Sequence, residues 1–164
     1  MATTFEKIGS TTLSSSSPTI TFNSISSGFT DLRLVIVAKG TAASDVNMVF
    51  NSSGSACSWT QLWADGSTAG ANRITSALGR AYITLNYNVL STSIPYMYTV
   101  DIMSYTAATN KTCLTSFQED ANGSGYTGRK VGLWRDTSAI TSITLNGTDF
   151  ASGTTATLYG ILKA

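Results

Sequence analysis

The chain contains no histidine. That omission removes serine–histidine–aspartate and cysteine–histidine catalysis, and with them most zinc sites, where imidazole is a usual ligand. Two cysteines, Cys57 and Cys113, cannot by themselves build a structural zinc site. The carboxylates are scattered. Glu119 and Asp120 are adjacent, but neighbours along a strand point to opposite faces, so they do not converge across a substrate as glycoside hydrolysis requires. Gly123-Ser124-Gly125-Tyr126-Thr127-Gly128 has the G-x-G-x-x-G spacing of a dinucleotide loop. That chemistry needs a helix to follow, because the pyrophosphate sits on its N-terminus. Arg129-Lys130-Val131-Gly132-Leu133 alternates like a strand instead, so the stretch reads as a glycine-rich hairpin loop. The residues predict no catalytic site, no cofactor and no metal.

What remains is recognition chemistry carried by aromatic side chains, which stack on sugars and anchor protein interfaces. Tyr96 and Tyr98 share a face with Val100 and Ile102 and read as core. Trp59 and Trp63 flank Gln61 on one face beside a polar loop. Trp59, Trp63, Tyr82, Tyr105 and Trp134 are the interface or ligand candidates. Four N-x-S/T sequons, at Asn51, Asn110, Asn122 and Asn146, are close to chance in a chain this rich in serine and threonine.

The elements that must position these residues are strands. Thr3–Ile8 and Thr19–Asn23 alternate, with the serine run Ser14–Ser17 and Pro18 between them. Ile25–Gly28 is the place for a short helical turn. Asp31–Lys39 is apolar on both faces (Leu32, Leu34 and Ile36 on one; Val35 and Val37 on the other), which predicts a central strand covered on both sides. Asp45–Asn51, Ser58–Ala64, Arg80–Tyr87, Tyr96–Met103 and Lys111–Gln118 follow, with Ser67–Leu78 read as an extended loop. The last third holds three more segments, Lys130–Arg135, Ala139–Leu145 and Thr154–Leu162, with turn signals at Asn146-Gly147 and Ser152-Gly153. No window carries a helical apolar stripe over three turns. The expected fold is all-β: one antiparallel sandwich, jelly-roll-like, with long polar loops. It spans residues 1–164, with 1–17 either packed on it or forming an extended N-terminal arm.

Composition limits the partners. Charged residues are 12% of the chain, about half the usual share, so solubility rests on hydroxyls and amides. The formal net charge of +1 is too small to steer the protein to nucleic acid or an anionic membrane. No apolar run approaches the ~20 residues of a membrane helix, and the N-terminus lacks the apolar stretch of a secretory signal. Synthesis in a reducing cytoplasm is expected, which favours buried free thiols over a Cys57–Cys113 disulfide. Tyr96–Met103 carries a single aspartate and Thr154–Leu162 no charge. Strand edges so thinly guarded should be covered by a neighbouring subunit or by the N-terminal arm.

Three stretches carry a family resemblance. They are the closing GLWRDTSAITSITL followed after a short turn by TTATLYGI, the opening FEKIGSTTLSSSSPTITFNSI with GFTDLRLVIVAKG, and the middle VNMVFNSSGSACSW. In this order they resemble a widespread class of tailed-bacteriophage virion proteins, found both as small stand-alone proteins and as tail-fibre domains. The resemblance implies a β-sandwich structural protein with no catalytic residues. It also implies the virion as location, and as partners the major capsid protein or tail components and further copies of itself. Ser67–Arg80 and Asn86–Pro95 depart from the pattern. A stand-alone domain without shaft or heptads points to a head decoration or cement protein. The alternative is a tail-fibre or spike module that binds a receptor or a host surface glycan.

Overall fold

The computed structural model describes residues 4–75, 83–84, 90–120 and 122–162. Every named element in them is a strand. An eight-stranded antiparallel sheet runs in the order β1 (Phe5–Thr12), β12 (Thr155–Ile161), β3 (Asp31–Ala38), β8 (Tyr96–Ile102), β9 (Lys111–Glu119), β10 (Tyr126–Trp134), β5 (Cys57–Ala64), β6 (Ala69–Ile74). A four-stranded sheet runs β2 (Ser17–Phe22), β11 (Ile143–Phe150), β4 (Asn47–Phe50), β7 (Ile83–Thr84). The protein is an all-β antiparallel sandwich.

Period-2 alternation builds the core. Leu32, Leu34, Ile36, Tyr96, Tyr98, Val100, Ile102, Cys113, Phe117, Ala156 and Leu158 point inward from the large sheet. Ile20, Phe22, Met48, Phe50, Ile143 and Leu145 meet them from the small one, in a single buried cluster. The edge-on contact of Phe50 with Trp134, ring centroids 5.3 Å apart, ties the two sheets together.

Several expectations need correction. Ser67–Leu78 is not simply a loop: Ala69–Ile74 pairs with β5 along its length. Alanine and glycine have little strand preference, but the Trp63 indole covers the bare backbone of Gly70, where a β-carbon would lie 2.6 Å from the ring. An aromatic lying across a strand glycine supplies the packing that the glycine lacks. Ala139–Leu145 is not one strand. β11 begins at Ile143, because Asn51 takes the preceding backbone for itself. Its Oδ1 accepts from Thr141 N (2.8 Å) and Ser142 N (3.1 Å), and its Nδ2 donates to Ala139 O (2.8 Å). Side-chain amides compete with ladders in this way. Asn146-Gly147, expected as a turn, lies inside β11, where the pairing with β2 slips between Asn146 and Phe150 and Asp149 takes φ 37°; this pattern is a bulge.

Ile25–Gly28 carries no helical turn; Ile25 N donates to Thr141 O instead. Ser152-Gly153 is a turn, with Gly153 at φ 83°. Of Arg80–Tyr87 only 83–84 is described, as β7; the rest, Tyr82 included, lies outside the described residues. Phe5–Thr12 lies along β12 as an edge strand of the large sheet. Pro18 lies in β2, an edge of the small one, where a missing N–H is tolerated.

Cys57 and Cys113 are free and buried. They lie on β5 and β9 with β10 between them. Strands two apart are separated by about 9.5 Å, beyond the ~7 Å Cα limit of a disulfide. Burial pushes the Cys57 thiol up to about 11 and raises Cys113 as well. Alkylation followed by mass spectrometry is therefore expected to label both thiols only after denaturation. Labelling of both in the native protein, or an intact disulfide, would contradict this packing.

Gly128 faces inward opposite Trp63 and Phe117. A β-carbon there would lie 2.3 Å from Phe117 Cζ and 2.5 Å from the Leu62 carbonyl oxygen. The phenyl ring can move but the carbonyl is fixed in the ladder. Gly128→Ala is expected to cost about 1–3 kcal/mol, the usual range for overpacking. Urea titration checks this, and an unchanged midpoint would refute it.

Candidate binding surface

The aromatic candidates separate once placed. Tyr105 and Trp134 are corrections. Both are buried in the core, so neither is available to a partner. Tyr105 Oη donates to the Ser26 carbonyl and pins the 24–30 connection. Trp134 packs on Phe50, with the Lys111 ammonium 5.8 Å from its ring. Trp59 and Trp63 share a face with Gln61, as the spacing predicts, but that face points inward. Trp59 is half-buried and its ring lies 4.1 Å from Lys130 Nζ. Trp63 is half-buried against Gly70 and Tyr126, with a ring distance of 6.4 Å to the latter.

The inward face also holds charge that an apolar-in pattern does not anticipate. Gln61, Lys130 and Thr115 are cross-strand neighbours in one row, and all three are buried. Burial lowers the Lys130 ammonium to about 7, against a weaker opposing pull from Asp45. Gln61 Oε1, Thr115 Oγ1 and Tyr98 Oη find no hydrogen-bond partner among the described residues. Lys111, also buried, donates to the carbonyls of Ala107 (2.7 Å) and Thr109 (2.6 Å). Glu119 and Asp120 act separately. Glu119 accepts from Tyr96 Oη at 2.9 Å, and Asp120 accepts from Gly123 N at 2.9 Å in the β9–β10 turn. The glycine triad thus belongs to a hairpin, and a strand follows it.

The outward face of the large sheet has a different character. Leu62, Leu114, Val131, Met97 and Val37 stand exposed on five neighbouring strands, Leu62 at 65%. Register brings them together: Val131 lies opposite Leu114, and Leu62 opposite Arg129. Three adjoining hollows share these residues. One of about 290 Å³ is lined by Leu62, Asp101, Leu114, Arg129 and Val131. One of about 400 Å³ continues past Leu62 and Arg129 to Gln118, and one of about 410 Å³ runs past Val131 to Arg73. Arg33 and Asp101 form a two-pronged pair, Nε to Oδ1 at 2.5 Å and Nη2 to Oδ2 at 3.0 Å. Arg129 makes no hydrogen bond or ion pair among the described residues. The expectation that both faces of Asp31–Lys39 are covered holds on one side only. The Leu32–Ile36 face is buried, whereas Val37 is 38% exposed.

A further hollow of about 380 Å³ opens between the β5–β6 and β9–β10 turns, lined by Asp65, Gly66, Ser67, Gly123, Ser124, Gly125 and Tyr126. Asp65 Oδ1 accepts from the backbone of Ser67 (2.9 Å) and Thr68 (2.6 Å), which holds its carboxyl below the usual range.

Among the described residues no group of three His, Cys, Asp or Glu side chains converges, and no helix is long and apolar enough to cross a membrane. In comparison with known proteins, no family model matches the chain and no curated protein matches it.

Proposed function

We propose that the protein is a non-enzymatic building block of a bacteriophage particle: a head decoration or cement protein on the outer capsid surface, present in several copies and stabilising the shell. The observation that carries this reading is how the stretches with the virion-protein resemblance pair with one another. The opening stretch supplies β1, β2 and β3, the middle one β4 and the start of β5, and the closing one the end of β10 with β11 and β12. β12 pairs with both β1 and β3, and β11 with both β2 and β4. Segments far apart in the chain thus pair as two blocks, β1-β12-β3 in the large sheet and β2-β11-β4 in the small one, as a shared fold requires. The departing stretch Ser67–Arg80 contributes the β6 edge, outside both blocks. The partners under this reading are the major capsid protein and further copies of the chain.

A second reading rests on the hollow between the β5–β6 and β9–β10 turns. Its hydroxyls, glycine backbone, Asp65 carboxylate and Tyr126 ring suit a hydroxyl-rich ligand, which favours a tail-fibre or spike module binding a host glycan. Mass spectrometry of purified particles, with electron cryomicroscopy of the same sample, tests both. The expected result is many copies on the head lattice, retained in about 1 M salt, where the Debye length is about 3 Å and exposed ion pairs are screened. Density only at the tail supports the second reading. Absence from particles overturns both.

A further inference from the structure

The outward face of the large sheet has the composition of an interface but no cover among the described residues. Along the central strands β3, β8, β9, β10 and β5, none of the outward positions is lysine or glutamate. Arginine, methionine, leucine, valine and threonine fill most of them, with Asp31, Asp101, Ser58, Ser116, Gln118 and Ala64 at the rest. Protein interfaces show this bias, depleted in lysine and glutamate and enriched in arginine and methionine. The extent also fits. Eight strands at about 4.8 Å and about seven residues at about 3.4 Å span roughly 900 Å², close to the ~800 Å² that one partner contributes to a standard interface.

The charge on this face selects the occupant. Outward strand positions carry Lys7, Arg33, Arg73 and Arg129 against Asp31 and Asp101. Asp101 is engaged by Arg33, and Asp31 accepts from Ser104 N at 2.6 Å. Arg129 stands exposed between Leu62 and Ser116. A twofold pairing centred on Arg129 would oppose the two guanidinium groups, and like charges across an interface cost affinity. We propose that this face, centred on Leu62, Leu114 and Val131 around Arg129, docks a different protein, one that presents a carboxylate within an apolar surface. This rests on the particle-building reading and names the surface that does the holding. Arg129 would meet the carboxylate in two-pronged geometry, and the surrounding apolar side chains would exclude water from the pair.

Hydroxyl-radical footprinting of the particle-bound and the released protein tests the assignment, with Met97, Leu62 and Leu114 as reporters. Each is expected to be oxidised at least fivefold more slowly on the particle. Rebinding to particles stripped of the protein is the second arm. Arg129→Glu and Leu62→Lys are expected to bind at least tenfold more weakly. Thr21→Lys, on the exposed face of the small sheet, is expected to bind as wild type, with circular dichroism confirming that all three fold. A protein present on particles with Met97, Leu62 and Leu114 as reactive as in the released state overturns the docking face alone. So does a homodimer in solution that Leu62→Lys dissolves, because it makes a second copy the occupant. Absence from particles overturns the particle-building reading instead.

Discussion

Replacing Trp134 by alanine is expected to destabilise the protein by about 3–5 kcal/mol, the range for deleting a buried tryptophan. The side chain is 1% exposed and is the largest of the fully buried ones. It sits at the end of β10, opposite Lys111 on one neighbour and Cys57 on the other, and meets Phe50 of the facing sheet edge-on at 5.3 Å. Its loss empties a site that rigid ladders on both sides prevent from closing. Its Nε1 has no hydrogen-bond partner among the described residues, so the cost is packing rather than a broken hydrogen bond. Trp134→Phe keeps much of the packing and removes the unpartnered N–H, so it should cost less than half as much. Urea denaturation of the two variants checks the ordering. For a chain of this length the alanine variant should lose roughly 10 °C in Tm. A loss under about 1 kcal/mol would mean that the sheets do not rest on this residue.

Lys130→Met is expected to relieve, at and below neutral pH, the cost of holding an ammonium in the core, so that its stability relative to wild type is greatest there. The folded-state pKa of Lys130 is lowered to about 7, against about 10.4 in an unfolded chain. Between these values the unfolded state binds more protons, so this group's contribution to stability rises with pH across the window. Below pH 7 both states are charged and the full penalty of burying the ammonium applies, already softened by the Trp59 ring at 4.1 Å. Buried Cys57 and Cys113 act in the opposite sense: their raised pKa values disfavour the folded state above about pH 8.5, where unfolded thiols ionise. The difference between wild type and Lys130→Met isolates the lysine. It should be largest near pH 6 and shrink toward pH 10. A difference that stays constant with pH would show that Lys130 is not titrating in the core.

The strands with strict alternation were legible from sequence. Leu32, Leu34 and Ile36, and Tyr96, Tyr98, Val100 and Ile102, lie on the buried face that their spacing predicts. β6 was not, because Ala-Gly-Ala-Asn acquires its strand character only from β5 and from the Trp63 ring. The start of β11 was hidden because Asn51, ninety residues away, diverts the backbone of 139–142. Lys111 and Lys130 occupy inward positions that a polar-out rule assigns to apolar side chains. Aromatic residues drew attention toward Trp134 and Tyr105, which packing claims. Leu62, Leu114 and Val131 belong to three separate strands and become a surface only through register, which no linear pattern encodes. One signal concerned the face they share. Val35 and Val37 made the back of Asp31–Lys39 apolar, and two-sided apolarity predicts a cover that the described residues do not supply to Val37.

The position of β12 has a consequence for how the molecule comes into being. Phe5 pairs with Ile161, and Ile161 pairs in turn with Asp31. β12, synthesised long after both, is thus inserted between β1 and β3. Until it arrives, β1 and β3 have no ladder between them, and one long edge of β3 is left to water. Such distant pairing places folding in the slow, millisecond-to-second regime of β topologies. It also ties completion of the large sheet to synthesis of the segment Thr155–Ile161. A chain interrupted before Thr155 cannot join β1 to β3, and so leaves the large sheet without its continuous surface.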